Sequence, residues 1–192
     1  MTDIFFTEDE KRFRQQVRTF AKDRVAPVVE EIETRQVYPR EIIAEMGRLG
    51  FLGVLHPREY GGAGKGLSYE IIVAEELSAV SASTEMSRLA SATLYAMPIN
   101  RFGTHAQKER YLTPIVKGEK VGALCITEPT VGSDTAGMKT TALRRGNVYV
   151  LNGEKRFITN GSVADFLVVF AITNSSVHPH EGMSAFIVEN SM

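Results

Sequence analysis

The stretch Cys125-Ile126-Thr127-Glu128-Pro129-Thr130-Val131-Gly132-Ser133-Asp134-Thr135-Ala136-Gly137 marks the point where the chain changes character. The apolar run Val121–Ile126 leads into it and reads as a strand that breaks at Glu128-Pro129. Pro129 removes a backbone donor and pushes Glu128 towards extended backbone. Gly132 and Gly137 permit positive φ and close approach by another group. Ser133 and Asp134 add a hydroxyl and a carboxylate beside freed backbone N–H groups. Such a loop can hold the planar edge and phosphates of a large cofactor, and it can equally be a plain connection between strands.

Upstream of this stretch the apolar spacing is helical. Thr7-Glu8-Asp9-Glu10 fits a capping box, and Phe13, Val17, Phe20, Val25, Val28 and Ile32 continue one face to about Glu33. Pro27 lies inside that pattern and predicts a kink or a new helix starting there. Pro39 opens a second helix, with Ile42, Ile43, Met46 and Leu49 as its buried face and Gly50 as its end. Leu67–Val80 reads as a third, carrying Ile71, Ile72, Ala74, Glu75 and Leu77. Thr84 to about Phe102 reads as a fourth, rich in Ala and Ser, with Met86, Leu89, Leu94 and Met97. Its small-residue face admits close approach by another helix or by a ligand. Gly103-Thr104 starts a fifth, running from His105 to Val116.

Between the second and third helices, His56–Gly66 is rich in glycine but fits no phosphate-binding template. A P-loop needs Gly where Glu59 stands and Ser or Thr where Gly66 stands. The dinucleotide fingerprint needs Gly where Leu67 stands. The segment reads as a loop leading into a helix.

After Lys117-Gly118-Glu119-Lys120 the period shortens to two. Val121–Ile126, Lys139–Leu143, Val148–Leu151, Arg156–Thr159, Phe166–Ile172 and Ala185–Val188 read as strands, and Gly146-Asn147 and Asn152-Gly153 as tight turns, the second of type I′. The fold class is therefore α+β with more than one domain. An N-terminal all-α helical bundle spans 1–118, and an antiparallel β-domain, an incomplete barrel or sandwich, spans 119–192.

Composition narrows the function classes. The formal net charge is −1 and no Lys/Arg-rich block exists, so nucleic acid is not an expected partner. No apolar run approaches membrane-spanning length, and Met1-Thr2-Asp3-Ile4 carries no secretory pattern. Cys125 is the sole cysteine, which excludes an intrachain disulfide and fits a cytoplasmic location. On an apolar strand it reads as inert core. His178-Pro179-His180 could offer a metal pair, but no third ligand is suggested nearby, and no metal site is expected.

Several features coincide in one order: the helical half, Pro57-x-Glu59-Tyr60-Gly61-Gly62, Thr127-Glu128-Pro129 with Gly132-Ser133-Asp134, Asn152-Gly153-Glu154-Lys155, and Phe157-Ile158-Thr159-Asn160-Gly161. Together they closely resemble the acyl-CoA dehydrogenase family, from Phe5 to Val188. The resemblance implies FAD as cofactor and oxidation of an acyl-CoA thioester to the trans-2-enoyl-CoA, within fatty acid metabolism. It implies an electron-transfer flavoprotein as acceptor and a homo-oligomer once a C-terminal domain is present. Leu124, Cys125, Ile126 and Thr127 match the segment along the flavin's pyrimidine side, with Thr127 bonding that edge. Gly132 and Ser133 match the pyrophosphate position, where Ser133 also meets the CoA portion of the substrate. Phe157, Ile158 and Thr159 match the segment on the other flavin face, with Phe157 covering the ring and Thr159 donating to N5. Met86, Ala90 and Leu94 fall where the family's acyl chain threads, although helix packing explains them too. A ring system burying about 200 Å² gains about 5 kcal/mol at ~25 cal/mol/Å², against about 0.5–1.5 kcal/mol for each neutral hydrogen bond. The apolar clamp should set affinity and the threonines orientation.

Family members continue into further strands and a C-terminal helical domain that carries the glutamate base, and neither is found here. Glu128 matches the flavin-loop glutamate, not that base, so no catalytic residue is assigned. A missing general base costs about 10²–10⁴ in rate. This chain alone is expected to be incompetent in dehydrogenation. The alternatives are a non-catalytic remnant binding flavin, CoA or a partner, or an acyl-CoA oxidase or flavin monooxygenase of the same fold.

Overall fold

Thr7 caps the first helix as the sequence predicts. Its hydroxyl accepts from the Glu10 N–H at 3.3 Å, and the Glu10 carboxylate accepts from the Thr7 N–H at 2.7 Å. The computed structural model describes residues 6–192, so the reading of Met1–Ile4 lies outside the described residues, as does Phe5. The chain divides into two units, Met1–Val121 and Gly122–Met192.

In the helical unit, α1 (Glu8–Phe20), α2 (Val29–Arg35), α3 (Arg40–Arg48) and α4 (Leu67–Ser78) are followed by α5 (Ala82–Leu89), α6 (Ala96–Phe102), α7 (His105–Gln107) and α8 (Thr113–Val116). Three prolines shape this unit. Pro27, Pro98 and Pro114 each follow, by two or three residues, a wide π-type turn: Ala21–Val25, Ala90–Tyr95 and Lys108–Leu112. A prolyl ring lacks a donor and crowds the carbonyl four residues back, and the widened turn absorbs the mismatch without ending the helix. The expected kink at Pro27 takes this form.

Val17, Phe20, Ile43, Met46, Leu52, Ile72 and Leu77 close the core of the unit, with Phe51 edge-on to Phe13 and Phe20. Two faces depart from the spacing argument. Leu49, expected in the core, is 51% exposed, and Ile71 is 46% exposed. On α4 the buried positions include Glu70 and Glu76 beside Ile72, Val73 and Leu77, because arginines from other helices neutralise the carboxylates. Arg14 and Arg18 hold Glu76 at 2.8–3.1 Å, and Arg88 holds Glu70 at 2.6 Å.

The sheet unit holds β1 (Gly122–Cys125), β2 (Thr141–Arg145), β3 (Val148–Asn152), β4 (Phe166–Ile172), α9 (Pro179–Gly182) and β5 (Met183–Glu189). The expected strand block is present, but the sheet is mixed, not antiparallel throughout. β4 pairs antiparallel with β5 along its whole length, parallel with β1, and parallel with β2 at Thr141 and Ile172. The long excursion from β1 to β4 lets the chain re-enter in the same direction, which a tight turn cannot do. Arg156–Thr159, expected as a strand, is irregular, since Phe157 sits at φ 56° and cannot continue a pleat. The β2–β3 hairpin turns at Gly146-Asn147 with φ 63° at Gly146. Asn152-Gly153 is not a type I′ hairpin turn, because Asn152 has no positive φ and no strand comes directly after it. Glycine serves close approach there, as a Cβ at 153 would lie 2.4 Å from Thr140 Oγ1. The sheet is an open one, ordered β1-β4-β2-β3 with β5 beside β4.

Among the described residues no helix is long and apolar enough to cross a membrane.

Candidate functional site

The site grows from one buried carboxylate. Glu128 ends the segment after β1, and its side chain turns inward, 4% exposed. It accepts from the Lys139 N–H at 2.7 Å and the Thr140 N–H at 3.0 Å. It also accepts from Lys155 Nζ at 2.8 Å, and the same ammonium reaches the Ile126 carbonyl at 3.0 Å. Backbone bonds between Glu128 and Val131, in both directions, close the loop behind Pro129-Thr130. One side chain thus fastens β1, the 129–138 loop, the start of β2 and the segment after β3.

Burial is the largest influence on this carboxyl and opposes its charge. The Lys155 ammonium and the N–H groups of Lys139 and Thr140 together outweigh burial and bring its pKa from 4.5 to about 2. The folded value lies below the unfolded one, so between these values the unfolded chain binds more protons. The contribution, about 3 kcal/mol, is complete above pH 4.5 and is lost as pH falls towards 2. Chemical denaturation followed by amide exchange in β1, β2 and β4 should show the sheet unit losing stability across that interval.

Around this anchor the structure brings two of the three sequence-predicted segments together. The Arg156 N–H donates to the Thr127 carbonyl at 2.8 Å, which fixes Phe157–Thr159 beside the end of β1. Asn160, at φ 65°, returns its amide to the Gly122 carbonyl at 3.5 Å. Phe157 is 82% exposed at its left-handed φ, with the Arg156 guanidinium 4.8 Å from its ring centroid. Thr159 is exposed, while Thr127, Leu124, Ile126 and Ile158 are half-buried. Cys125 is buried, and burial pushes its thiol up to about 11, so it packs and does not react. Gly132 and Ser133 are exposed on the anchored loop, and open space lies where a Cβ at Gly132 would stand. Among the described residues no hydrogen bond joins that pair to Phe157–Thr159. Asp134 accepts from the Ala136 N–H at 3.1 Å and starts a short turn, Thr135–Gly137.

Sequence reasoning missed Lys155 as a site organiser. It lies 27 residues from its partner Glu128, and a lysine after a turn signals nothing by itself. Elsewhere, the rings of His178 and His180 lie tilted at 45° with centroids 5.3 Å apart, and no group of three or more potential metal ligands exists among the described residues.

An aromatic platform held out to solvent, hydroxyls beside it and a glycine-opened loop fit a large planar, phosphate-bearing group. The family model for the acyl-CoA dehydrogenase N-terminal domain matches residues 7–119, and that for the middle domain matches 123–192. The chain belongs to the acyl-CoA dehydrogenase family. A short-chain specific acyl-CoA dehydrogenase of Clostridium acetobutylicum is 43% identical over 187 residues, which cover 97% of this chain and 49% of the relative. Butyryl-CoA dehydrogenase from Megasphaera elsdenii superposes with TM-score 0.90 at 38% identity, covering 98% of this chain and 50% of that one. The FAD complex of PigA superposes with TM-score 0.91 at 28% identity, covering 98% and 50%. This acyl-CoA dehydrogenase family chain thus spans about half the length of the relatives it matches.

Proposed function

We propose that Leu124–Thr127, Gly132–Ser133 and Phe157–Thr159 seat FAD, and that the chain forms the flavin-binding part of an enzyme that oxidises an acyl-CoA thioester to the trans-2-enoyl-CoA. The observation that carries this reading is Phe157, a large aromatic ring 82% exposed at a strained left-handed φ and tied by its neighbour to Thr127. A buried planar ligand accounts for both the exposure and the strain. FAD, when bound, supplies the hydride acceptor. Phe157 and Ile158 exclude water from one ring face, and the hydroxyls of Thr127 and Thr159 orient the ring edge. Ser133 and Gly132 present a hydroxyl and an unobstructed backbone to phosphate. Met86 and Leu94, apolar yet 45% and 42% exposed in the helical unit, are the proposed wall for the acyl chain, joined by Met97 at 38%, whereas Ala90 is buried and offers it no surface. An electron-transfer flavoprotein is the proposed acceptor.

Glu128 cannot supply the base that removes the α-proton. Its oxygens accept from three donors and its pKa of about 2 makes it a poor proton acceptor. That observation favours a second reading, in which these residues by themselves bind flavin and CoA without turnover.

Titration of the purified chain with FAD, followed by flavin fluorescence, tests the site. Phe157→Ala is expected to weaken binding by about 2 kcal/mol, roughly 30-fold in Kd. A chain that leaves flavin fluorescence and absorbance unchanged overturns the proposal. Addition of acyl-CoA to the loaded chain then separates the two readings, since bleaching of the flavin favours the enzyme.

A further inference from the structure

The helical unit buries an ionic cluster that the flavin site does not use. Arg88 is fully buried, and its guanidinium donates to Glu85 at 2.7 and 2.8 Å and to Glu70 at 2.6 Å. The Glu70 oxygen that meets Arg88 also accepts from Thr93 Oγ1 at 2.8 Å. Nearby, His56 is 1% exposed, with Nε2 at 2.6 Å from the Ala92 carbonyl oxygen. A carbonyl only accepts, so Nε2 carries the proton. Nδ1 has no hydrogen-bond partner among the described residues. Burial holds His56 below its ordinary pKa, against the Ala92 bond and Glu70, and keeps it neutral.

Ala92 and Thr93 both lie in the wide turn Ala90–Tyr95. In ordinary helical register the Ala92 carbonyl would accept from the Ala96 N–H. Here the Ala96 N–H goes to the Thr93 carbonyl, and His56 takes its place at Ala92. Two successive residues of the turn are therefore gripped from outside their own helix, one by His56 from the 51–66 loop and one by Glu70 from α4. The wide turn before Pro114 is also gripped from another helix, Tyr95 donating its hydroxyl to the Tyr111 carbonyl at 3.3 Å, whereas the turn before Pro27 shows no such buried grip among the described hydrogen bonds, so proline admits a wide turn and side chains from other elements pin two of the three. Each residue inserted into or removed from a helix rotates the downstream positions by about 100°. The positions set in this way include Leu94 and Met97, 42% and 38% exposed, while Tyr95 and Ala96 are fully buried.

We propose that His56 and Glu70 are positioning residues for substrate selection: they hold the Ala90–Tyr95 turn wide and so aim Leu94 and Met97 at the acyl chain. The acyl contact rests on the acyl-CoA reading above, while the aiming of the side chains does not. Pro98 admits the wide turn and the grip pins it, so without the grip the turn is free to tighten and the buried Ala96 position to rotate towards the surface.

Single reporter cysteines at Leu94→Cys and Ala96→Cys in the full chain, labelled with a maleimide, read that rotation directly, since Cys125 is buried. With His56 intact, the cysteine at 94 should react about tenfold or more faster than that at 96. His56→Leu should collapse this ratio about tenfold, and His56→Gln, which keeps a donor, should restore it. Ile43→Ala, a core change in α3, should leave the ratio unchanged. An unchanged ratio in His56→Leu overturns the proposal, as does an equal collapse in Ile43→Ala. Should His56→Leu fail to fold, the native chain still decides. A His56 Nε2 proton seen by NMR and protected from exchange supports the grip, and one that exchanges freely overturns it. Protection of the cysteine at 94 by octanoyl-CoA but not by CoA is expected, and loss of that difference overturns the acyl contact. Flavin absorbance is recorded on the same samples, so failure of the flavin site is read separately.

Discussion

Arg88→Ala will destabilise the helical unit by about 3–5 kcal/mol, a large share of the roughly 5–15 kcal/mol that holds an ordinary domain folded. Among the described residues, Arg88 is the sole cation hydrogen-bonded to Glu70 and Glu85, which are 6% and 3% exposed. Its removal leaves two carboxylates in a core that cannot hydrate them, and it frees the Phe51 carbonyl that Nη1 meets at 3.4 Å. The cluster costs more to break than it contributes intact, because desolvation has offset most of its Coulomb gain. A neutral set, Arg88→Met with Glu70→Gln and Glu85→Gln, is therefore expected to recover most of the loss. Urea denaturation followed by far-UV circular dichroism measures both. A single alanine change worth less than about 1 kcal/mol would show that water reaches the cluster.

Glu128→Ala will produce the largest loss in the sheet unit, again about 3–5 kcal/mol. The change strands the Lys155 ammonium, whose side chain is only 10% exposed, and two backbone N–H groups, of which Thr140 is buried. Glu128→Gln keeps the shape and one acceptor but leaves Lys155 unneutralised, and it should fall between wild type and alanine. Pairing it with Lys155→Met should restore part of the stability, since both charges then vanish together. Amide exchange in β1, β2 and β4 reports the stability, and FAD titration reports the site. The two readouts should move together, because the anchor holds both faces of the proposed flavin seat.

Much of this was legible in the sequence because the deciding signals were local. The capping box at Thr7, the kink near Pro27 and the switch of period after Lys120 each depend on residues close together in the chain. The parts that were not legible depended on distant partners. Glu70 and Glu76 look like solvent positions until the arginines that neutralise them are known, and Leu49 and Ile71 look like core. Arg156–Thr159 has strand-forming residues, yet a left-handed Phe157 overrides their preference. The motif residues Thr127 and Phe157 could be placed in order but not in space. The Arg156 bond to Thr127 supplies that link, and Lys155 supplies the charge behind it.

β4 also dictates the order of events when this unit assembles. It is the shared partner of β1, β2 and β5, and its full-length pairing is with β5, across a short connection. Its pairing with β1 joins Gly122 to Phe166 and closes a far longer loop. Chain entropy favours the short closure, so the β4–β5 hairpin forms first and serves as the template on which β1 docks. The proposed cofactor seat at the end of β1 consequently gains its β4 support late in folding. On the ribosome that template is complete only when residues up to Glu189 have emerged, and the helical unit has by then had the time to settle alone.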